Sequence, residues 1–219
     1  MYNVTIISTE HIESGKCNSD ELYKIIESIK PEVIFEEEVA DERFHKYYND
    51  ENSFKSLEVQ TVIKYLRNHN IEHVPIDIAT DFNFKEWDFM FDWFKKYLVY
   101  KQILKEHCHL RDIYGFKYLN SESCLEIFKR MKLTERQLIE YGGMHKNELL
   151  RIYEKFEIQH SNREYGMIQN IYEHSSNHRY QQAVFLLGYA HRKSIMNKIM
   201  DYKNINEPKI NWIFYDNTN

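Results

Sequence analysis

Within its first 78 residues the chain switches repeatedly between two hydrophobic periods, and this switching constrains the fold more than any other feature. Val4 to Thr9 is a short β-branched run, Asp20 to Ile29 repeats apolar residues at Leu22, Ile25, Ile26 and Ile29, and Val33 to Phe35 is again strand-like after Pro31. Phe54 to Leu66 has helical spacing through Leu57, Val59, Val62, Ile63 and Leu66, and "HVPIDI", His73 to Ile78, offers a third strand. A period near 3.6 marks an amphipathic helix, and a short apolar run between turn residues marks a strand. Two β-α-β units in succession predict a mostly parallel sheet with right-handed crossovers.

From residue 81 to 160 the pattern is helical throughout, in "NFKEWDFMFDWFKKYLVYKQILKEH", "SESCLEIFKRMKL", "TERQLIEY" and "KNELLRIYEKFEI". Sheet logic then resumes with a helix from Arg163 to His174, a strand at Val184, a helix from Lys193 to Tyr202 and a last strand from Lys209 to Asp216. The expected fold is therefore α/β: a mostly parallel central sheet of about five strands flanked by helices, with a large all-helical insertion at 81–160. A length of 219 residues with 42% hydrophobic content suits one core, so a single α/β domain over 1–219 is expected.

Charge narrows the partners. A formal net charge of -5 supplies no global basic field, so no nucleic-acid partner is expected. No stretch is long and apolar enough to span a bilayer, and the N-terminus resembles a first strand more than a leader peptide. Three cysteines without a C-x-x-C pair suit a reducing compartment, which makes the cytoplasm the expected location.

Residues able to carry chemistry cluster where strands end. "IISTEHIES" places His11 just beyond the first strand, and "PEVIFEEE" runs the second strand out into Glu36, Glu37 and Glu38. "HSNREYGM" puts Arg163 near a predicted helix start, and "VFLLGYAHRKSI" follows a buried strand with Gly188, a turn and His191. In a parallel sheet neighbouring carboxyl ends share one rim, where open α/β sheets keep their sites. Two imidazoles and a carboxylate at one rim permit two hydrolytic chemistries. Either His11, Glu37 and His191 bind a divalent ion (Mn, Zn or Co) that activates water, or one His oriented by Glu37 takes a proton from water while Arg163 stabilises an oxyanion.

"STEHIES" with "KPEVIFEEE", then "NREYGM", then "VFLLGYAHRKSI", resembles the signature of the superfamily that contains TraB and PrgY, the Tiki proteases and the erythromycin esterases, with the haem-binding ChaN proteins as more distant relatives. That signature has two G-x-x-H turns after strands, a Glu closing the second strand, and an Arg in a helix before the final G-x-x-H. The resemblance covers roughly residues 1 to 50 and 155 to 200. It implies that His11 and His191 are the paired histidines, Glu37 the active carboxylate and Arg163 the anion-stabilising residue. Glu36 is the alternative carboxylate, since alternation along a strand sends neighbours to opposite faces. Ser8 stands where the pattern has Gly, so either the backbone there is ordinary or the site is altered.

The implied activity is a hydrolase cleaving an amide or ester bond of a small-molecule or peptide substrate. The alternative is a non-catalytic protein that binds or senses a ligand, such as a peptide or haem, in the same cleft. Simpler readings stand beside these: Glu36 to Glu38 as a solvated run, and Arg163 as an ordinary first-turn residue capped by Asn162 or as a structural ion-pair partner. "GGMH", Gly142 to His145, follows a helical segment and reads as a helix end. His107, Cys108 and His109 point in different directions on a helix and cannot share one ion, and the aromatics of "WDFMFDWFKKYLVY" suit core packing.

Overall fold

In a computed structural model, residues 1–50, 52–202 and 208–216 are described. Five strands, β1 (Tyr2–Thr9), β2 (Val33–Val39), β3 (Glu72–Asp77), β4 (Gln182–Gly188) and β5 (Ile210–Phe214), form one sheet in the order β3-β2-β4-β1-β5. Every neighbouring pair is parallel. The helices are α1 (Ser19–Ile29), α2 (Glu42–Asn49), α3 (Leu57–Leu66), α4 (Phe84–Phe94), α5 (Leu98–Tyr114), α6 (Phe116–Leu119), α7 (Glu122–Glu140), α8 (Lys146–Asn177) and α9 (Arg192–Asp201). No helix among the described residues is long and apolar enough to cross a membrane.

Local chemistry sets the element ends. The Asn18 side chain accepts from the Glu21 N–H at 3.0 Å and starts α1, which Lys30 closes in the left-handed region (φ 52) just before Pro31. The Ser56 hydroxyl caps α3 by accepting from the Val59 N–H, so the helix begins at Leu57, three residues inside the expected start at Phe54.

Alternation along the strands divides the interior in two. Ile7, Ile34, Val184 and Leu186 face one side, with α1, α3 and the helical middle of the chain. Val4, Ile6, Val33, Phe35, Ala183, Phe185 and Leu187 face the other, under Met167, Ile168 and Ile171 of α8 and Ile195 of α9. Both faces of the sheet are thus covered, the usual condition of an all-parallel sheet.

The break expected between "KNELLRIYEKFEI" and Arg163 does not exist: α8 is one continuous helix of 32 residues. Its first half packs Leu149, Ile152, Tyr153 and Phe156 into the first core, and its second half packs Met167, Ile168 and Ile171 into the second. The polar run "HSNRE" lies where the helix passes from one core to the other. Arg163 therefore sits in mid-helix, and Asn162 caps nothing.

Candidate functional site at the carboxyl rim

β4 lies between β1 and β2, so the two strands that carry the motif residues flank the third. Thr9 is level with Gly188 and Glu36 with Leu186. Beyond Glu36 the β2–β3 register shifts, and pairing resumes at Val39 and Asp77. This irregularity falls on Glu37 and Glu38, at the place where the strand must re-aim its side chains.

The three glutamates go different ways. Glu36 turns toward α2, with its carboxylate bonded to the Tyr48 hydroxyl and to His73 Nδ1. Glu37 turns toward α8 and β4, where Oε1 meets Arg163 Nη2 at 2.7 Å and His191 Nε2 at 3.2 Å while Oε2 accepts from the Gly188 N–H at 2.7 Å. Glu37, and not Glu36, is thus the carboxylate that joins Arg163 and His191.

These groups belong to a larger ion network. Arg163 also donates through Nε and Nη2 to Asp77, at 2.9 and 2.6 Å, and packs over the Phe82 ring. His191 holds Glu164 Oε1 through Nδ1 at 2.7 Å, and the other Glu164 oxygen takes Ser194 Oγ and Lys198 Nζ. With a carboxylate on each ring nitrogen, His191 donates from both and is an imidazolium. Burial would lower its pKa, but the charges of Glu37 and Glu164 prevail and push it up to about 9. Glu37 shows the mirror effect: burial opposes ionisation, yet His191, Arg163 and the Gly188 N–H hold it well below the usual carboxylate range. His160 stacks on His191 with ring centroids 4.9 Å apart. Burial and the neighbouring imidazolium push His160 down to about 3, so the second ring stays neutral.

Of the roles expected of Arg163, this geometry fits the structural ion-pair partner and not the stabiliser of an oxyanion. Its bonds go to Asp77 and Glu37, and it positions the latter. Gly188 is explained by the same arrangement, because a Cβ there would lie 3.1 Å from Glu37 Oε2. Ser8 lies in a strand with ordinary backbone. It is fully buried, its backbone exchanges hydrogen bonds with the Asn120 side chain, and its hydroxyl accepts from Arg192.

His11 stands apart from this network. Its Nδ1 faces Glu58 at 3.4 Å, and Glu58 in turn accepts the Thr9 hydroxyl at 2.6 Å. The Glu58 side chain is 11% exposed and that of His11 62%, so the carboxylate is seated and the imidazole opens to solvent. The hydrogen bond that His11 donates to Glu58 raises its pKa to about 9 against the opposing effect of burial. A narrow cleft between them is lined by Thr9, His11, Glu37, Glu38, Glu58 and Gly188. Glu38, on its wall, is pushed up to about 7 by burial and by the charge of Glu36.

The expected metal triad is not assembled. His11, Glu37 and His191 are not among the groups whose ligand atoms lie within 4.8 Å of one another in the described residues. Both oxygens of Glu37 and both nitrogens of His191 are already committed. The residues as arranged do not fit a divalent ion at the rim. Four members of the site were not legible in the sequence: Glu58, Asp77, Glu164 and His160. Glu58 alone had a local signal, two residues after the helix cap Ser56. Comparison with protein-family models, with curated proteins and with solved structures finds no match in any of the three.

Proposed function

We propose that the chain is a hydrolase of amide or ester bonds, of the kind its motifs resemble, acting in the cleft between Thr9 and His11, Glu37 and Glu38, and Gly188. The observation that carries this reading is the His11–Glu58–Thr9 relay. A seated carboxylate orients one imidazole nitrogen, and the other has no protein partner among the described residues. That is the arrangement by which a carboxylate holds an imidazolium so that its other N–H meets a departing group.

Glu38 supplies the complementary group. Near neutral pH it is partly ionised and accepts a proton from water as that water attacks the carbonyl carbon. The His11 imidazolium donates its proton to the departing alkoxide or amine, and solvent returns both groups to their starting states. Two titratable groups whose surroundings hold them apart in pKa make such an acid and base pair. Glu37, locked by Arg163, His191 and the Gly188 N–H, acts as the wall that positions the β4 turn.

The test is hydrolysis of a panel of activated esters and a peptide library against pH. The expected profile is a bell: activity falls below about 7 as Glu38 takes up its proton and above about 9 as His11 loses its own. Glu38→Gln should abolish the acid limb and His11→Gln the alkaline limb, each with a loss of about 100-fold or more. Wild-type rates in both variants would remove this reading.

The mutual saturation of Glu37, Arg163 and His191 favours a second reading, a ligand-binding or sensing protein that uses the same cleft. Tight, His11-dependent binding without turnover supports it.

A further inference from the structure

α8 runs along β3, so that Arg163 meets Asp77 at one end while His174 lies beside Glu72 at the other. At this second end Glu72, His174 and His178 each present a ligand atom, all within 4.8 Å of one another, the one such group of three among the described residues. His174 is the fixed member: its side chain is 7% exposed, and its ring meets the edge of Phe35 at a centroid distance of 5.2 Å. Its Nε2 is buried, aimed toward Glu72 Oε2 at 3.5 Å, and makes no hydrogen bond. A buried ring nitrogen without a partner is costly in an apolar setting. Burial also lowers the His174 pKa, which favours the neutral ring.

The second histidine has the tautomer that a ligand needs. His178 Nδ1 donates to the His174 carbonyl at 3.2 Å, which places its lone pair on Nε2. The two rings stack with centroids 4.2 Å apart. His178 and Glu72 are exposed, whereas His174 is buried.

We propose that Glu72, His174 and His178 form a binding site for a divalent transition-metal ion, Zn²⁺ in the first instance, with water as the fourth ligand. Two imidazoles and one carboxylate are a donor set of zinc chemistry, and a tetrahedral ion with bonds of about 2.0–2.2 Å brings its ligand atoms to roughly 3.4 Å of one another. Glu72 Oε2 already stands 3.5 Å from His174 Nε2, so the exposed His178 ring, stacked nearly parallel on His174, is the ligand that has to turn and close, by up to about 1.4 Å, to reach that spacing. An ion held there pins the C-terminal turn of α8 to the first residue of edge strand β3, away from the cleft that holds His11.

The experiment uses the full chain without a histidine tag, dialysed against chelator and titrated calorimetrically with ZnCl₂. One Zn²⁺ per chain is expected, with Kd raised tenfold or more in His178→Ala and in Glu72→Gln. Both replaced side chains are exposed, so far-UV circular dichroism should stay unchanged. Co²⁺ in place of Zn²⁺ should give the visible absorption of a tetrahedral site in the wild type and lose it in His178→Ala. His11→Ala should bind as the wild type does. Absence of stoichiometric Zn²⁺ uptake, or uptake equal in wild type, His178→Ala and Glu72→Gln, overturns the proposal. So does uptake that depends on His11 instead of His178.

Discussion

Gly188 is a glycine because a carboxylate stands where its side chain would go. A Cβ at that position would approach Glu37 Oε2 to 3.1 Å, and Glu37 has no slack, since Arg163, His191 and the Gly188 N–H itself hold it. Gly188→Ala should therefore destabilise the protein by about 1–2 kcal/mol, read as a lower urea midpoint at unchanged slope. An unmoved midpoint would mean that the carboxylate yields. His191 makes a pH-dependent contribution of definite sign. Its folded-state pKa is raised to about 9, so its stabilisation is complete below the ordinary value near 6.5 and is lost as pH rises through 9. The gap in unfolding free energy between wild type and His191→Asn should shrink by about 1–3 kcal/mol from pH 6 to pH 9.5. A gap constant across that range would show that the ring is neutral in the fold. The sequence exposed His191, Glu37 and Arg163 because each stands beside a strand exit or its motif partner. It concealed Asp77 and Glu164, whose roles depend only on which distant side chain the fold brings opposite them.

At the scale of elements, the strands were legible because their apolar runs are short, β-branched and bounded by turns, and all five appear where the pattern put them. α8 was not, for a physical reason: "HSNRE" interrupts the apolar period like a loop, yet the helix continues because His160, Arg163 and Glu164 find partners at the rim while Asn162 is exposed. His160, Arg163 and Glu164 all come from that run. Gly166 lies one turn further on, where an added Cβ would meet Ile78 Cγ2 at 2.6 Å. In an isolated helix Gly→Ala stabilises by about 1 kcal/mol. Here the close approach of α8 to the chain just beyond β3 should reverse the sign, so that Gly166→Ala lowers the thermal midpoint. Adding Ile78→Ala to Gly166→Ala removes the obstruction, and a double-mutant cycle should return a favourable coupling of about 1 kcal/mol or more. Simple additivity would show that the helix and Ile78 do not touch as tightly as the spacing requires.

For the molecule as a whole, alternation of the two periods announced an α/β sheet with covered faces, and that is the architecture observed. Strand order was beyond reach, because it depends on which edges long connections bring together and not on any local pattern. The order has β4 in the middle, with β1 and β2 on either side of it and no ladder between them. A ribosome releases this chain from the amino end, so β1 and β2 leave the exit tunnel some 150 residues before β4, the strand that joins them. Throughout that interval the nascent amino-terminal third offers unclosed sheet edges to its surroundings, and its safe completion falls to whatever shields an unfinished polypeptide during translation.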